Sequence, residues 1–157
     1  VELDTKNIKL IVLDFDGVLT DNFVYMNELD EETVRCCKSD SVAIDILKSK
    51  GVDFYVLSNE KRNYVIFRCK KMKILSRQIE GNKVDQLDFI LNKFNVKMDE
   101  ILFIGNDLND LDIMKSGVLT CCPSDSAQEI LDVSKIKLKT KGGYGVIREL
   151  LNLMENK

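Results

Sequence analysis

The sequence predicts an α/β fold, a central parallel sheet covered by helices on both faces. Short apolar runs recur at Lys9 to Asp14, at "VDFYVLS" (52–58) and at "EILFIGND" (100–107), each ending in polar residues. The runs are continuous rather than alternating, the pattern of strands buried on both faces. Stretches with helical spacing separate them, so strands and helices alternate along the chain.

Lys9 to Asp14 reads as the first strand. "FVYMNELDEETVRCC" (23–37) reads as a β-hairpin, two β-prone arms around an acidic turn at Asp30 to Glu32. A helix is expected to start near Ser39 or Asp40, both good caps, with Val42, Ala43, Ile46 and Leu47 on its apolar face and Gly51 as its stop. "VDFYVLS" is the second strand, ending at Ser58. Lys61 to Lys71 has helical spacing, with Val65 and Cys69 four apart. Lys83 to Phe94 is a clearer helix, burying Leu87, Ile90 and Leu91. "EILFIGND" is the third strand, followed by a short helix around Leu111 to Lys115. Val118 to Thr120 and Ile136 to Leu138 are weaker strand candidates, and a last helix covers about Val146 to Met154.

Composition narrows the function classes. The 157 residues hold one proline and no linker-like or low-complexity tract, so a single domain over 1–157 is expected. The net charge of −3, with acids and bases interleaved, speaks against a nucleic-acid surface. "RCKKMK" (68–73) reads as the solvated end of a helix. No apolar run approaches the ~20 residues of a membrane span, and no signal-peptide pattern opens the chain. Five cysteines with no C-x-x-C, and no histidine, make zinc improbable and suit reduced thiols packed in a cytoplasmic protein.

In parallel sheets ligands bind beyond the carboxyl ends of the strands. The first strand delivers Asp14 and Asp16 there, the second Ser58, and the third Asn106 and Asp107, with Asp110 one turn on. Lys83, at a helix start, reaches the same edge. Residues i and i+2 of a strand share a face, so Asp14 and Asp16 are expected to face one pocket. Each residue alone has an ordinary structural reading: Asp14 and Asp16 as caps, Ser58 as a turn residue, Lys83 as a surface lysine, "GNDLND" (105–110) as a turn and helix start. Their order and shared position argue for a site. Carboxylates crowded together raise one another's pKa unless a cation is present, and an all-oxygen donor set selects a hard ion, Mg²⁺ first. Mg²⁺, a lysine, a serine hydroxyl and helix-start N–H groups suit a phosphoryl group, and a spare carboxylate can attack phosphorus.

These residues resemble the motifs of the haloacid dehalogenase superfamily. "LDFDGVLTD" (13–21) is similar to the first motif, D-x-D-x-[TV], "VLSN" (56–59) to the second, Lys83 to the third and "IGNDLND" (104–110) to the fourth. "KSDSVAI" (38–44), "NKVDQL" (82–87), "GNDLNDLDIM" (105–114) and "KGGYGVIREL" (141–150), with the hairpin, resemble its small capless branch of 3-deoxy-manno-octulosonate 8-phosphate and nonulosonate 9-phosphate phosphatases. That branch also includes a C-terminal domain of acylneuraminate cytidylyltransferases. The resemblance implies a Rossmann-like three-layer α/β/α fold without a cap domain, residues 21–38 forming a hairpin flap. It implies a homotetramer in which neighbouring subunits close the site.

By the same resemblance Asp14 is the nucleophile, and Asp16 protonates the leaving alkoxide and then deprotonates the attacking water. Mg²⁺ is held by Asp14, the main-chain carbonyl of Asp16, and Asp107. Ser58, Asn59 and Lys83 bind phosphate, and Asn106 and Asp110 support the site. Glu60, Lys61 and Arg68 are candidates for binding the sugar acid. Glu60-Lys61 and "SDS" (39–41) resemble the nonulosonate members, while Arg68 reads equally well as an exposed helix arginine. Asn59 stands where the family usually has glycine, and Asn106 where an aspartate is common. The expected function is therefore a Mg²⁺-dependent phosphatase for a phosphorylated sugar acid. The alternative is a non-catalytic assembly domain of a cytidylyltransferase. A phospho-receiver domain is excluded, because its phosphorylated aspartate would follow the third strand rather than the first.

Overall fold

In the computed structural model residues 7–155 are described; residues 1–6 and 156–157, the ends of the expected domain, lie outside them. Six parallel strands form the central sheet: β1 (Leu10–Leu13), β4 (Asp53–Ser58), β5 (Leu75–Gln78), β6 (Ile101–Ile104), β7 (Leu119–Cys122) and β8 (Ile136–Lys137). Their order across the sheet is β5-β4-β1-β6-β7-β8. β1 lies at the centre, Leu13 opposite Val56 of β4 on one side and Ile104 of β6 on the other. The carboxyl ends of the three apolar runs are therefore neighbours.

The pleat sends successive side chains to opposite faces. Ile11 and Leu13 of β1, Phe54 and Val56 of β4, and Leu102 and Ile104 of β6 pack on one face. Helices α1 (Lys38–Ser49), α2 (Tyr64–Lys71) and α6 (Val146–Glu155) cover it through Ala43, Ile44, Leu47, Val65, Cys69, Val146, Ile147 and Leu150. Leu10, Val12, Tyr55, Leu57, Ile101 and Phe103 point the other way. There α3 (Leu87–Phe94), α4 (Leu111–Met114) and α5 (Gln128–Val133) bring Leu87, Ile90, Ile113, Met114 and Ile130. The expected three layers are present, and no inserted domain follows β1 or β4 among the described residues.

The hairpin is present as β2 (Thr20–Met26) paired antiparallel with β3 (Glu32–Cys36). Its turn is organised by Asn27, whose side-chain oxygen accepts the N–H groups of Leu29 (2.8 Å) and Glu31 (3.2 Å). Arg62 ties the hairpin down through Asp30 (2.8 Å) and Glu32 (3.4 Å). The hairpin leaves apolar side chains exposed at Phe23, Tyr25, Met26 and Leu29.

Several local expectations need correction. Neither Ser39 nor Asp40 caps α1, which starts at Lys38 after Cys37. Asp40 is buried and caps α6 instead, its Oδ1 accepting the N–H groups of Ile147 (2.9 Å) and Arg148 (3.1 Å). Val42 is half exposed, and Ile44 takes its place in the core. α2 begins at Tyr64 rather than Lys61. Lys83 to Phe94 is a 3-10 turn, Lys83–Gln86, leading into α3; Asn82 caps it by accepting the Val84 N–H at 3.1 Å.

Candidate active site

β1 ends at Leu13, so Asp14 and Asp16 are not placed by the pleat. Asp14 keeps one sheet bond, its N–H donating to the Ile104 carbonyl at 2.9 Å, and the chain then turns over Phe15. The N–H groups of Val18, Leu19 and Thr20 all point at the Phe15 carbonyl (2.9–3.3 Å). Gly17 sits in this turn at φ +79, and a Cβ there would lie 1.9 Å from the Asn106 side-chain nitrogen. The first and fourth motif loops thus touch only because residue 17 has no side chain.

Asp14 is 5% exposed and lies against Lys83, whose Nζ is 2.9 Å from its Oδ1. The same Nζ donates to Asp110 Oδ1 at 2.6 Å, and both Lys83 and Asp110 are fully buried. Asp110 Oδ2 accepts the N–H of Asn106 at 2.9 Å and, at 3.4 Å, that of Asp107. Gly105 makes room for it, since a Cβ there would lie 2.6 Å from the Asp110 side chain.

Burial, with the charge of Asp110 added, pushes the Asp14 carboxyl up to about 7 against the pull of Lys83. Burial pulls the Lys83 ammonium down, but Asp14 and Asp110 outweigh it and raise it above the ordinary lysine value. Asp16 is half-buried, and desolvation raises it while hydrogen bonds from Tyr64 and Thr20 act the other way. Tyr64 donates to Asp16 Oδ2 and Thr20 to Oδ1, each at 3.2 Å. Neither residue stood out in the sequence: Thr20 lies inside the "LDFDGVLTD" stretch, while Tyr64 has no pattern to mark it.

Ser58 closes β4, buried, its hydroxyl accepting the Glu60 N–H at 3.1 Å. Asn59 braces the surrounding loops, donating to the carbonyls of Ile79 (3.3 Å) and Gly81 (3.0 Å) and accepting from Asn109 (3.1 Å). Asn106 is buried, and its side-chain oxygen has no hydrogen-bond partner. Asp107 is exposed and caps the 3-10 turn that follows, accepting the Leu108 N–H at 2.7 Å.

The sugar-acid candidates are more dispersed. Glu60 Oε1 accepts the Arg62 N–H at 2.8 Å. Lys61 pairs with Glu80 at 2.6 Å, both largely exposed, a pairing worth little in water. Arg68 is turned toward α1, donating to the Cys37 carbonyl (3.3 Å) and the Ser41 hydroxyl (2.7 Å), with its Nε buried and unpartnered.

Among the described residues no three carboxylate or thiolate side chains form a ready metal cage. The donor set expected from the sequence needs only two side chains, Asp14 and Asp107, with the Asp16 carbonyl. Two observations fit a cation at this edge: the raised Asp14 carboxyl and the orphaned Asn106 oxygen. An oxygen-only set with few protein ligands suits Mg²⁺, which retains several waters.

A parallel sheet with a buried aspartate and lysine at the carboxyl edge of its central strands defines a class. Residues 60–150 match the model of the haloacid dehalogenase-like hydrolases, and the chain belongs to that family. Its relatives narrow the likeness. The 3-deoxy-D-manno-octulosonate 8-phosphate phosphatase KdsC of Escherichia coli K12 is 26% identical over 150 residues, 95% of this chain and 80% of that protein. KdsC of Yersinia pestis is 25% identical over 149 residues, 94% of this chain and 80% of that one. The crystal structure of the Moraxella catarrhalis 3-deoxy-D-manno-octulosonate 8-phosphate phosphatase, in complex with magnesium, phosphate and KDO, superposes with a TM-score of 0.90 at 25% identity. It covers 96% of this chain and 87% of that one.

Proposed function

We propose that this chain is a Mg²⁺-dependent phosphatase that hydrolyses the phosphomonoester of an eight- or nine-carbon sugar acid. The substrates in view are 3-deoxy-manno-octulosonate 8-phosphate, which the relatives' names support, and nonulosonate 9-phosphates, which the Glu60-Lys61 pair supports. The carrying observation is the buried group of Asp14, Lys83 and Asp110 at the end of β1. Burying two carboxylates and an ammonium is costly, and an apolar trio would serve the fold at least as well. Perturbed carboxylates at a strand-end crevice are what catalysis needs.

Asp14 is the nucleophile: its free oxygen attacks phosphorus to give an aspartyl phosphate. Lys83 favours the ionised form of Asp14 and meets the incoming phosphate charge, while Asp110 fixes the lysine. Ser58 and the N–H groups around Asn59 bind phosphate oxygens. Asp16 protonates the sugar oxygen as it leaves and then takes a proton from the water that cleaves the phosphoenzyme. Asp14, the Asp16 carbonyl and Asp107 would hold the Mg²⁺, which neutralises phosphoryl charge when bound. The exposed apolar residues Phe23, Tyr25, Met26 and Leu29 support a homotetramer built through the hairpin flap.

The test is phosphate release with Mg²⁺, comparing octulosonate 8-phosphate with nonulosonate 9-phosphates and using Asp14→Asn as control. Turnover that the variant abolishes is expected, and the preferred sugar acid names the substrate. Folded protein that binds Mg²⁺ yet releases nothing from either class would favour the non-catalytic assembly role.

A further inference from the structure

The Asp16 carboxylate is held at both oxygens, from two separate parts of the chain. The Thr20 hydroxyl, at 3.2 Å from Oδ1, itself accepts the N–H groups of Gly17 (3.1 Å) and Asn22 (3.2 Å). Its one proton is therefore committed to Asp16. This contact is local, within the turn that carries Asp16, and by itself leaves the carboxylate free to swing about Oδ1. The second contact is not local. Tyr64 opens α2 beyond the end of β4, and its phenol reaches Oδ2 at 3.2 Å. The tyrosine ring is steadied against Phe15, with centroids 5.8 Å apart and planes at 36°. Glu60 approaches the same phenol.

We propose that Tyr64 is a positioning residue for the acid–base step, its hydroxyl aiming the Asp16 carboxyl at the bridging oxygen of the phosphate ester. The inference rests on the phosphatase reading. In the first half-reaction an Asp14 oxygen bonds to phosphorus as the bond from phosphorus to the sugar oxygen breaks. The electron pair goes to the sugar oxygen, which takes the proton of Asp16. In the second half Asp16 takes a proton from water, the water oxygen bonds to phosphorus, and the Asp14–phosphorus bond breaks. Both proton transfers need the carboxyl within hydrogen-bond reach and correctly aimed. Thr20 supplies half of that aim and Tyr64 the other half.

The variant Tyr64→Phe keeps the ring on Phe15 and deletes only the donor, a loss small enough to leave the protein folded. Two substrates separate aiming from packing: the sugar-acid phosphate that the wild type turns over better, octulosonate 8-phosphate or a nonulosonate 9-phosphate, whose alkoxide must be protonated as it leaves, and p-nitrophenyl phosphate, whose phenolate leaves unaided. kcat/KM is the quantity to compare, because it covers only the steps through phosphoenzyme formation and excludes the water step common to both. The sugar phosphate is expected to lose about tenfold or more, a fraction of what general acid catalysis supplies, and the nitrophenyl ester no more than about threefold. Equal losses on both substrates would make Tyr64 merely structural and overturn the inference. No loss on either would overturn it as well. A wild-type protein inert toward the nitrophenyl ester and toward both classes of sugar-acid phosphate would bring down the phosphatase reading, and this inference with it, whereas wild-type turnover with equal losses sinks the inference alone.

Discussion

Replacing Asp14 by Asn is expected to stabilise the metal-free protein while abolishing its activity. The magnitude follows from the burial of the carboxyl. Its pKa stands at about 7 in the folded chain against an ordinary 3.8. For an acid raised in this way the folded state binds the proton more tightly than the unfolded state. No stability is lost below the ordinary value; stability then falls as pH rises toward 7 and levels off above it. At roughly 1.4 kcal/mol per pKa unit, the loss is about 2 kcal/mol near pH 5 and about 4 kcal/mol near pH 8. Asparagine does not ionise and escapes it, keeps an oxygen for the Phe15 N–H, and leaves Lys83 its bond to Asp110. For a chain of this length about 4 kcal/mol corresponds to a rise in Tm on the order of 10 °C. Thermal unfolding in a chelator should show that gain near pH 8 and about half of it near pH 5. Excess Mg²⁺ should raise the Tm of the wild type near pH 8 and scarcely move the variant. A gain independent of pH, or a variant less stable than wild type near pH 8, would refute the reasoning.

Lys83→Met has the opposite sign. It leaves Asp14 and Asp110 buried without their cation, a loss of about 3–5 kcal/mol that a denaturant titration near pH 8 should reveal, shrinking at low pH as Asp14 protonates. Asp40→Ala should cost about 1–2 kcal/mol by uncapping α6, with kcat/KM per folded molecule unchanged, because Asp40 touches α6 and not the strand-end crevice.

The central strands were legible because β1, β4 and β6 are buried on both faces and so carry unbroken apolar runs. β5 was not: as an edge strand it leaves Leu75 exposed and has the sequence LSRQ, which no periodicity marks. α5 is six residues long with one buried side chain, Ile130, too short to display a period. Asp40 had the form of a local cap, but its partner lies more than a hundred residues away, beyond the reach of any local pattern. At the site, the shared position of Asp14, Ser58, Asn106 and Asp107 followed from strand order alone. That Lys83 is fully enclosed between two carboxylates, and that Asn59 braces three loops, are tertiary facts. Tyr64 escaped notice for the same reason, its relation to Asp16 existing only after α2 has docked.

The bond from Asp40 to the start of α6 also has a meaning in time. During synthesis α1 emerges well before α6, with Ala43, Ile44 and Leu47 ready to pack, while Ile147 of α6 follows 107 residues after Asp40. Until then one flank of the sheet is missing a helix, and the carboxylate that will cap α6 waits with no amides to accept. Between the emergence of α1 and that of α6 the nascent chain thus carries an apolar opening, the kind of transiently exposed surface that is prone to aggregate until it is covered. Arrival of α6 closes it in a single event, joining an early segment of the fold to a late one.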